Sequence, residues 1–145
     1  MIVYLDASAI VKRYLAEAGS AAVDRVIAQA EVLGTSLISR AEVAAALARA
    51  TRLGIIRSPE VEKARELFEA EWADWVTTPV TNSLVIRADA LAWQHSLRGY
   101  DAVHLASCLL WQEGLGERVK LATFDRELWQ AGQAVGLEVW PLSLP

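Results

Sequence analysis

The chain has 18 acidic side chains in 145 residues, and four of them stand apart by their surroundings. Asp6 ends the apolar run Ile2-Val3-Tyr4-Leu5, Glu42 comes soon after the run 32–38, Asp125 comes just after the run 119–123, and Asp101 opens a nearly all-apolar stretch reaching Gln112. A short apolar run bounded by a turn or cap signal reads as a buried strand. Three of the four acids therefore fall at the carboxyl ends of strands, the edge at which open α/β sheets bind ligands. Asp101 begins a helix that must lie in the core, so it can point at the same edge. Two carboxylates about 4 Å apart repel by roughly 4 kcal/mol at an effective dielectric of about 20. Four facing one cleft need a cation or strong pKa shifts. Carboxylates without His or Cys suit a hard, oxygen-loving ion: Mg²⁺, or Mn²⁺ in its place.

Each acid alone also has a plain structural use. Asp at a helix start is an ordinary cap, and Ser39-x-x-Glu42 matches a capping box. Taken together the balance changes, because Ser, Thr or Asn would cap as well without adding charge. Ser8 and Thr123 lie two residues from Asp6 and Asp125. Their hydroxyls can hold a carboxylate or a water behind the metal ligands, or cap locally. His104, one helical turn from Asp101, reads as a satisfied core residue outside the site, and His95 as a surface residue.

The elements that must position these groups follow from the pattern. Strands are expected at 2–5, 32–38, 76–80, 119–123 and 137–140. Helices are expected at about 7–15, 21–30 with Ser20 as cap, 39–53 ended by Gly54, 59–75 entered through Ser58-Pro59, 82–96, 101–112 and 125–135. Strands alternating with helices imply a parallel sheet with helices on both faces. No repeat, low-complexity tract or linker divides the chain, so residues 1–145 read as one domain. On helix 59–75, Phe68, Trp72 and Trp75 recur at helical spacing; core packing is the preferred reading, a groove for a partner helix the alternative.

Bulk numbers exclude several classes. Hydrophobic residues make up 54% and mean hydropathy is +0.25, as in a compact globular chain. The net charge of −4 gives no whole-protein basic footprint for nucleic acid. The single Cys rules out an internal disulfide and a Cys-based metal cage. Neither a signal peptide nor a membrane-spanning run is recognisable, and the cytoplasm is the expected location.

Four segments in order, Asp6-Ala-Ser-Ala-Ile-Val-Lys12, Ser39-Arg-Ala-Glu42, Tyr100-Asp-Ala-Val-His-Leu-Ala106 and Ala122-Thr-Phe-Asp-Arg-Glu-Leu128, resemble the PIN-domain ribonucleases. The likeness is greatest to the VapC-type toxins of bacterial toxin–antitoxin pairs. It implies a three-layer PIN-like α/β fold, with a central, mostly parallel sheet of four or five strands flanked by helices. It implies a metal-dependent endoribonuclease with Asp6, Glu42, Asp101 and Asp125 as the acidic set, a homodimer and a VapB-like antitoxin partner. Asp6 and Asp101 are the expected direct metal ligands. Asp125 binds directly or through water, and Glu42 binds a second ion or orients water. Bound Mg²⁺ would stabilise charge on the attacked phosphate and draw RNA into an acidic cleft. Lys12 and Arg13 are best placed to meet RNA. Arg40, with Arg49, Arg52 and Arg57, could track a phosphate backbone or form a solvated helix face. The rivals are a Mg²⁺-dependent phosphoryl-transfer or receiver-type domain and a non-catalytic module in which the acids are only caps. Against a phosphatase, Ser8 stands where a second acid is expected; against a receiver, two or three helices intervene between strands and only one early acid appears.

Overall fold

The computed structural model describes residues 1–144. The elements in chain order are β1 (Ile2–Leu5), α1 (Ala7–Tyr14), α2 (Ser20–Gln29), β2 (Val32–Ser36), α3 (Ser39–Arg52), α4 (Ser58–Trp72), β3 (Val76–Thr78), α5 (Asn82–His95), α6 (Gly99–Leu115), β4 (Val119–Ala122), α7 (Arg126–Ala134) and β5 (Glu138–Trp140). The strands form one sheet in the order β3-β2-β1-β4-β5, every neighbouring pair parallel. Helices cover both faces, so β1 is apolar throughout without alternating with polar residues. Its side chains still divide by the period of two. Tyr4 enters the core formed with α5, α6 and α7, while Val3 and Leu5 enter the core formed with α1, α3 and α4.

This order places the site. From β1 the chain steps outward to β2 and β3, then crosses back over the sheet through α5 and α6 to β4 on the other side of β1. The helices after β1 and after β4 therefore leave toward opposite faces: α1 packs with α3 and α4, α7 with α6. Between them the carboxyl ends of β1 and β4 open into a crevice, the usual ligand position in such sheets. Leu5 pairs with Ala122, and the Asp6 amide continues the ladder to the Ala122 carbonyl at 3.1 Å. Asp6 and Thr123 therefore leave the sheet side by side.

Several boundaries move from their expected places for local reasons. β2 stops at Ser36, and Ile38 already has helical backbone as the N-cap of α3. Ser20 does not cap α2. Gly19, at φ +94°, takes that position, and the Ser20 hydroxyl instead donates to the Leu15 carbonyl and accepts from the Glu17 amide. Arg57 rather than Ser58 stands at the N-cap of α4, where its amide donates to Glu60. α6 begins at Gly99, which puts Asp101 in its first turn. Core packing accounts for the aromatic face of α4: Phe68 is buried and meets Tyr14, Trp72 and Trp75 edge to face. Cys108 is fully buried, and burial pushes its thiol pKa up, consistent with an inert core residue.

Gly34, the glycine inside β2, is required by close approach. A β-carbon there would lie 2.5 Å from the Trp111 ring on α6. Gly34→Ala is expected to cost about 1–3 kcal/mol through overpacking. The urea midpoint measures this, and an unchanged midpoint would show that Trp111 moves aside freely.

Candidate active site

Asp6 is the most firmly held of the acids. It is 3% exposed, and its carboxylate accepts from the Ala9 amide at 3.0 Å, from Ser8 Oγ at 2.7 and 2.9 Å, and from Thr123 Oγ1 at 2.7 Å. The same two hydroxyls staple the loop after β4 to the loop after β1. Ser8 Oγ accepts from the Phe124 amide at 2.9 Å, and Thr123 Oγ1 accepts from the Asp125 amide at 3.0 Å. Burial raises the Asp6 pKa; His104 and the hydrogen bonds oppose that rise without cancelling it.

Asp125 is the N-cap of α7. Its Oδ1 accepts from the Leu128 amide at 2.9 Å, and its Oδ2 accepts from Arg98 Nη2 at 2.8 Å. Asp101 Oδ2 accepts from Nε of the same arginine at 3.1 Å. Asp101, Asp125 and Glu127 each place a carboxylate oxygen so that all three lie within 4.8 Å of one another. Burial, then repulsion from Asp125, raises the Asp101 pKa against the pull of Arg98, and Asp6 adds a smaller upward push. Capping and clustering thus coexist, since the cap occupies only one of the two oxygens of Asp125.

Glu42 does not form the expected capping box with Ser39. The Ser39 hydroxyl is buried against Thr35 Oγ1 at 2.7 Å, and Glu42 Oε1 instead meets His104 Nε2 at 2.6 Å. His104 Nδ1 in turn lies 2.9 Å from the Tyr4 hydroxyl. Burial holds the Tyr4 pKa well above its ordinary value, so Tyr4 remains a phenol able to donate to Nδ1. The imidazole N–H then sits on Nε2 and donates to Glu42.

The structure therefore joins Asp101 directly to Asp125 through Arg98, ties Asp6 to the Asp125 loop through Thr123, and holds Glu42 through His104. Three contributors had no separate signal in the sequence. Glu127 is two residues past Asp125, and Arg98 is three residues before Asp101, where it looks only like a helix break. His104 is as buried as expected, at 1% exposed, but its partner is Glu42. Lys12, Arg13 and Arg40 each have intrachain partners. Lys12 binds Glu17 and the Ala18 carbonyl and lies over the Phe124 ring. Arg13 binds Asp24 and Glu71, and Arg40 reaches Glu69 and the Trp72 ring.

The raised pKa of Asp101 sets a pH dependence. Without metal the folded chain binds this proton more tightly than the unfolded chain. Its stabilising contribution is complete below about pH 4, the ordinary Asp value, and is lost as pH rises through the higher folded pKa. In EDTA, the melting temperature of the unmodified chain should fall relative to Asp101→Asn as pH rises from about 4 to neutrality. Parallel curves would contradict the assignment.

Comparison with known proteins fits this geometry. The sequence model of the PIN domain family matches residues 3–133. The chain belongs to the PIN domain family. Ribonuclease VapC45 and Ribonuclease VapC49 of two Mycobacterium tuberculosis strains are each 36% identical to this PIN domain over 144 residues, covering 99% of this chain and 97% of theirs. Ribonuclease VapC3 of Pyrobaculum aerophilum is 33% identical over 132 residues, covering 88% of this chain and 92% of its own. Two crystal structures share the fold. PAE2754 from Pyrobaculum aerophilum has a TM-score of 0.66 at 24% identity, with 96% of this chain and 90% of that one covered. FitAcB from Neisseria gonorrhoeae has a TM-score of 0.65 at 15% identity, with 97% and 100% covered. Among the described residues of this PIN domain no helix is long and apolar enough to cross a membrane.

Proposed function

We propose that this PIN domain is a Mg²⁺-dependent endoribonuclease, the toxin of a type II toxin–antitoxin pair, and that it hydrolyses RNA at Asp6, Glu42, Asp101 and Asp125. The observation that carries the reading is the convergence of Asp101, Asp125 and Glu127 at the β1/β4 crevice, with a guanidinium drawn in between the two aspartates. Relatives named ribonucleases over nearly the whole chain support it. The donor set fits a hard divalent ion: it is all carboxylate oxygen, and a positive group already lies among it. Asp101 and Asp125, with Glu127 beside them, would hold the ion; Asp6 lies outside that group of three but close enough to push the Asp101 pKa up, and would be the further ligand. Mg²⁺, with Mn²⁺ as substitute, would supply Lewis-acid polarisation of the phosphate and its attacking water.

The chain's own groups do the rest. Ser8 and Thr123 fix the direction of the Asp6 carboxylate, so its geometry is set before substrate arrives. Glu42, aligned by His104, orients the water. Lys12, Arg13 and Arg40 each meet RNA phosphate only by giving up a carboxylate partner. For the antitoxin, the groove of about 610 Å³ between α3 and α4 is lined by apolar Leu47, Val61 and Phe68 and by Arg40, Arg52 and Arg65, two of which pair with Glu69 and Glu62. For a homodimer, α5 presents Ile86 and Trp93, the latter 86% exposed, to a second copy. Light scattering tests that assignment, and a monomer at micromolar concentration would remove it.

Two results test the reading. RNA should be cut with Mg²⁺ or Mn²⁺ and left intact in EDTA. Millimolar metal should raise the melting temperature, by about 5–10 °C at a hundredfold excess over Kd, because it binds only the native state. Cleavage that survives EDTA would overturn the metal requirement. An unmoved melting curve with no cleavage would favour acids that only cap helices.

A further inference from the structure

We infer that Arg98 is a displaceable internal cation, which holds Asp101 and Asp125 together until a divalent ion takes its place and then turns to a phosphate of the RNA. The inference rests on the nuclease reading above and deepens it. Arg98 donates from Nε to Asp101 Oδ2 at 3.1 Å and from Nη2 to Asp125 Oδ2 at 2.8 Å. Asp125 Oδ1 is already committed to the Leu128 amide. Arg98 occupies the oxygen of Asp125 that the cap leaves open, so guanidinium and metal compete there. Charge agrees with the exchange. Three carboxylates, Asp101, Asp125 and Glu127, lie together; one guanidinium among them leaves two negative charges, while a divalent ion leaves one.

Mobility is distributed as an exchange needs. The Arg98 side chain is 73% exposed, whereas those of Asp101 and Asp125 are 12% and 20% exposed. The acids stay where burial and capping hold them, and the arginine is the partner free to leave. Its backbone does not leave with it, because Leu97 is buried in the core and Arg98 forms the N-cap of α6. The released guanidinium therefore remains beside the site. Its planar fork matches a phosphate in two parallel hydrogen bonds.

The test is calorimetric titration of Mn²⁺ into the unmodified chain, Arg98→Gln, Arg98→Lys and Asp101→Asn, followed by RNA cleavage at saturating Mn²⁺. Arg98→Gln should bind Mn²⁺ about tenfold tighter, the scale of two ion pairs of this exposure. With metal saturated, its KM for RNA should rise about tenfold while kcat changes less, as expected when binding shared by ground and transition states is lost. Arg98→Lys keeps the charge without the fork and should fall between. Unchanged or weaker Mn²⁺ binding by Arg98→Gln would overturn the exchange, and an unchanged KM would overturn the turn to phosphate. Asp101→Asn separates this failure from that of the nuclease reading: if it binds Mn²⁺ as well as the unmodified chain, the metal site itself is misplaced and both proposals fall.

Discussion

Asp101→Asn is expected to lower RNA cleavage by about a thousandfold or more, the scale for losing a group that stabilises charge in the transition state. The substitution preserves shape and leaves an oxygen that can still accept from Arg98, so α6 should stay in place. What it removes is one negative charge from a set of three carboxylates within 4.8 Å. Because burial and Asp125 raise the Asp101 pKa, the ionised carboxylate is a local cost to the metal-free fold. The same variant should thus be as stable as the unmodified chain in EDTA, or more so, at neutral pH. It should gain less stability when metal is added. Initial rates and thermal melts with and without Mn²⁺ check both halves. Retention of more than about a tenth of the rate would take Asp101 out of the reaction.

His104→Ala is the second large effect, and it acts on fold and activity together. His104 is fully enclosed and joins the Tyr4 hydroxyl on β1 to the Glu42 carboxylate on α3. Removing the ring leaves a void and deprives two groups of their partner, a combined cost of about 2–5 kcal/mol. Glu42 then has no fixed direction, and cleavage at saturating metal should drop about a hundredfold. His104→Gln, which can still donate toward Glu42, should recover part of both. Urea unfolding and kcat on the folded variants measure the outcome. A folded His104→Ala protein with unaltered kcat would show that Glu42 needs no alignment.

The architecture was legible because local signals agreed with it. Runs of apolar residues before Asp6 and Asp125 marked two neighbouring strands, and the parallel sheet with helices on both faces followed from alternation alone. Element ends were less legible where side chains found unexpected partners. The hydroxyl of Ser20 goes to a carbonyl behind it, and Ser39 turns inward to Thr35. The hydrogen bonds of Ser8 and Thr123 to Asp6 were readable, because each hydroxyl is two residues from an acid at a strand end. Arg98, Glu127 and His104 were not. Arg98 owes its place to the packing of α6 beside the loop after β4. His104 pairs with a residue 62 positions away in the chain. Such contacts are made by tertiary packing, which local spacing does not encode.

Crystals of the protein soaked in Mn²⁺ and measured at an anomalous wavelength would show where the ion sits and where Arg98 goes. An anomalous peak is expected in the β1/β4 crevice, bound by oxygens of Asp101 and Asp125 with Asp6 on its other side, and Arg98 turned away from both aspartates. A crevice without a peak at saturating Mn²⁺, with Arg98 still bridging the two carboxylates, would contradict both expectations.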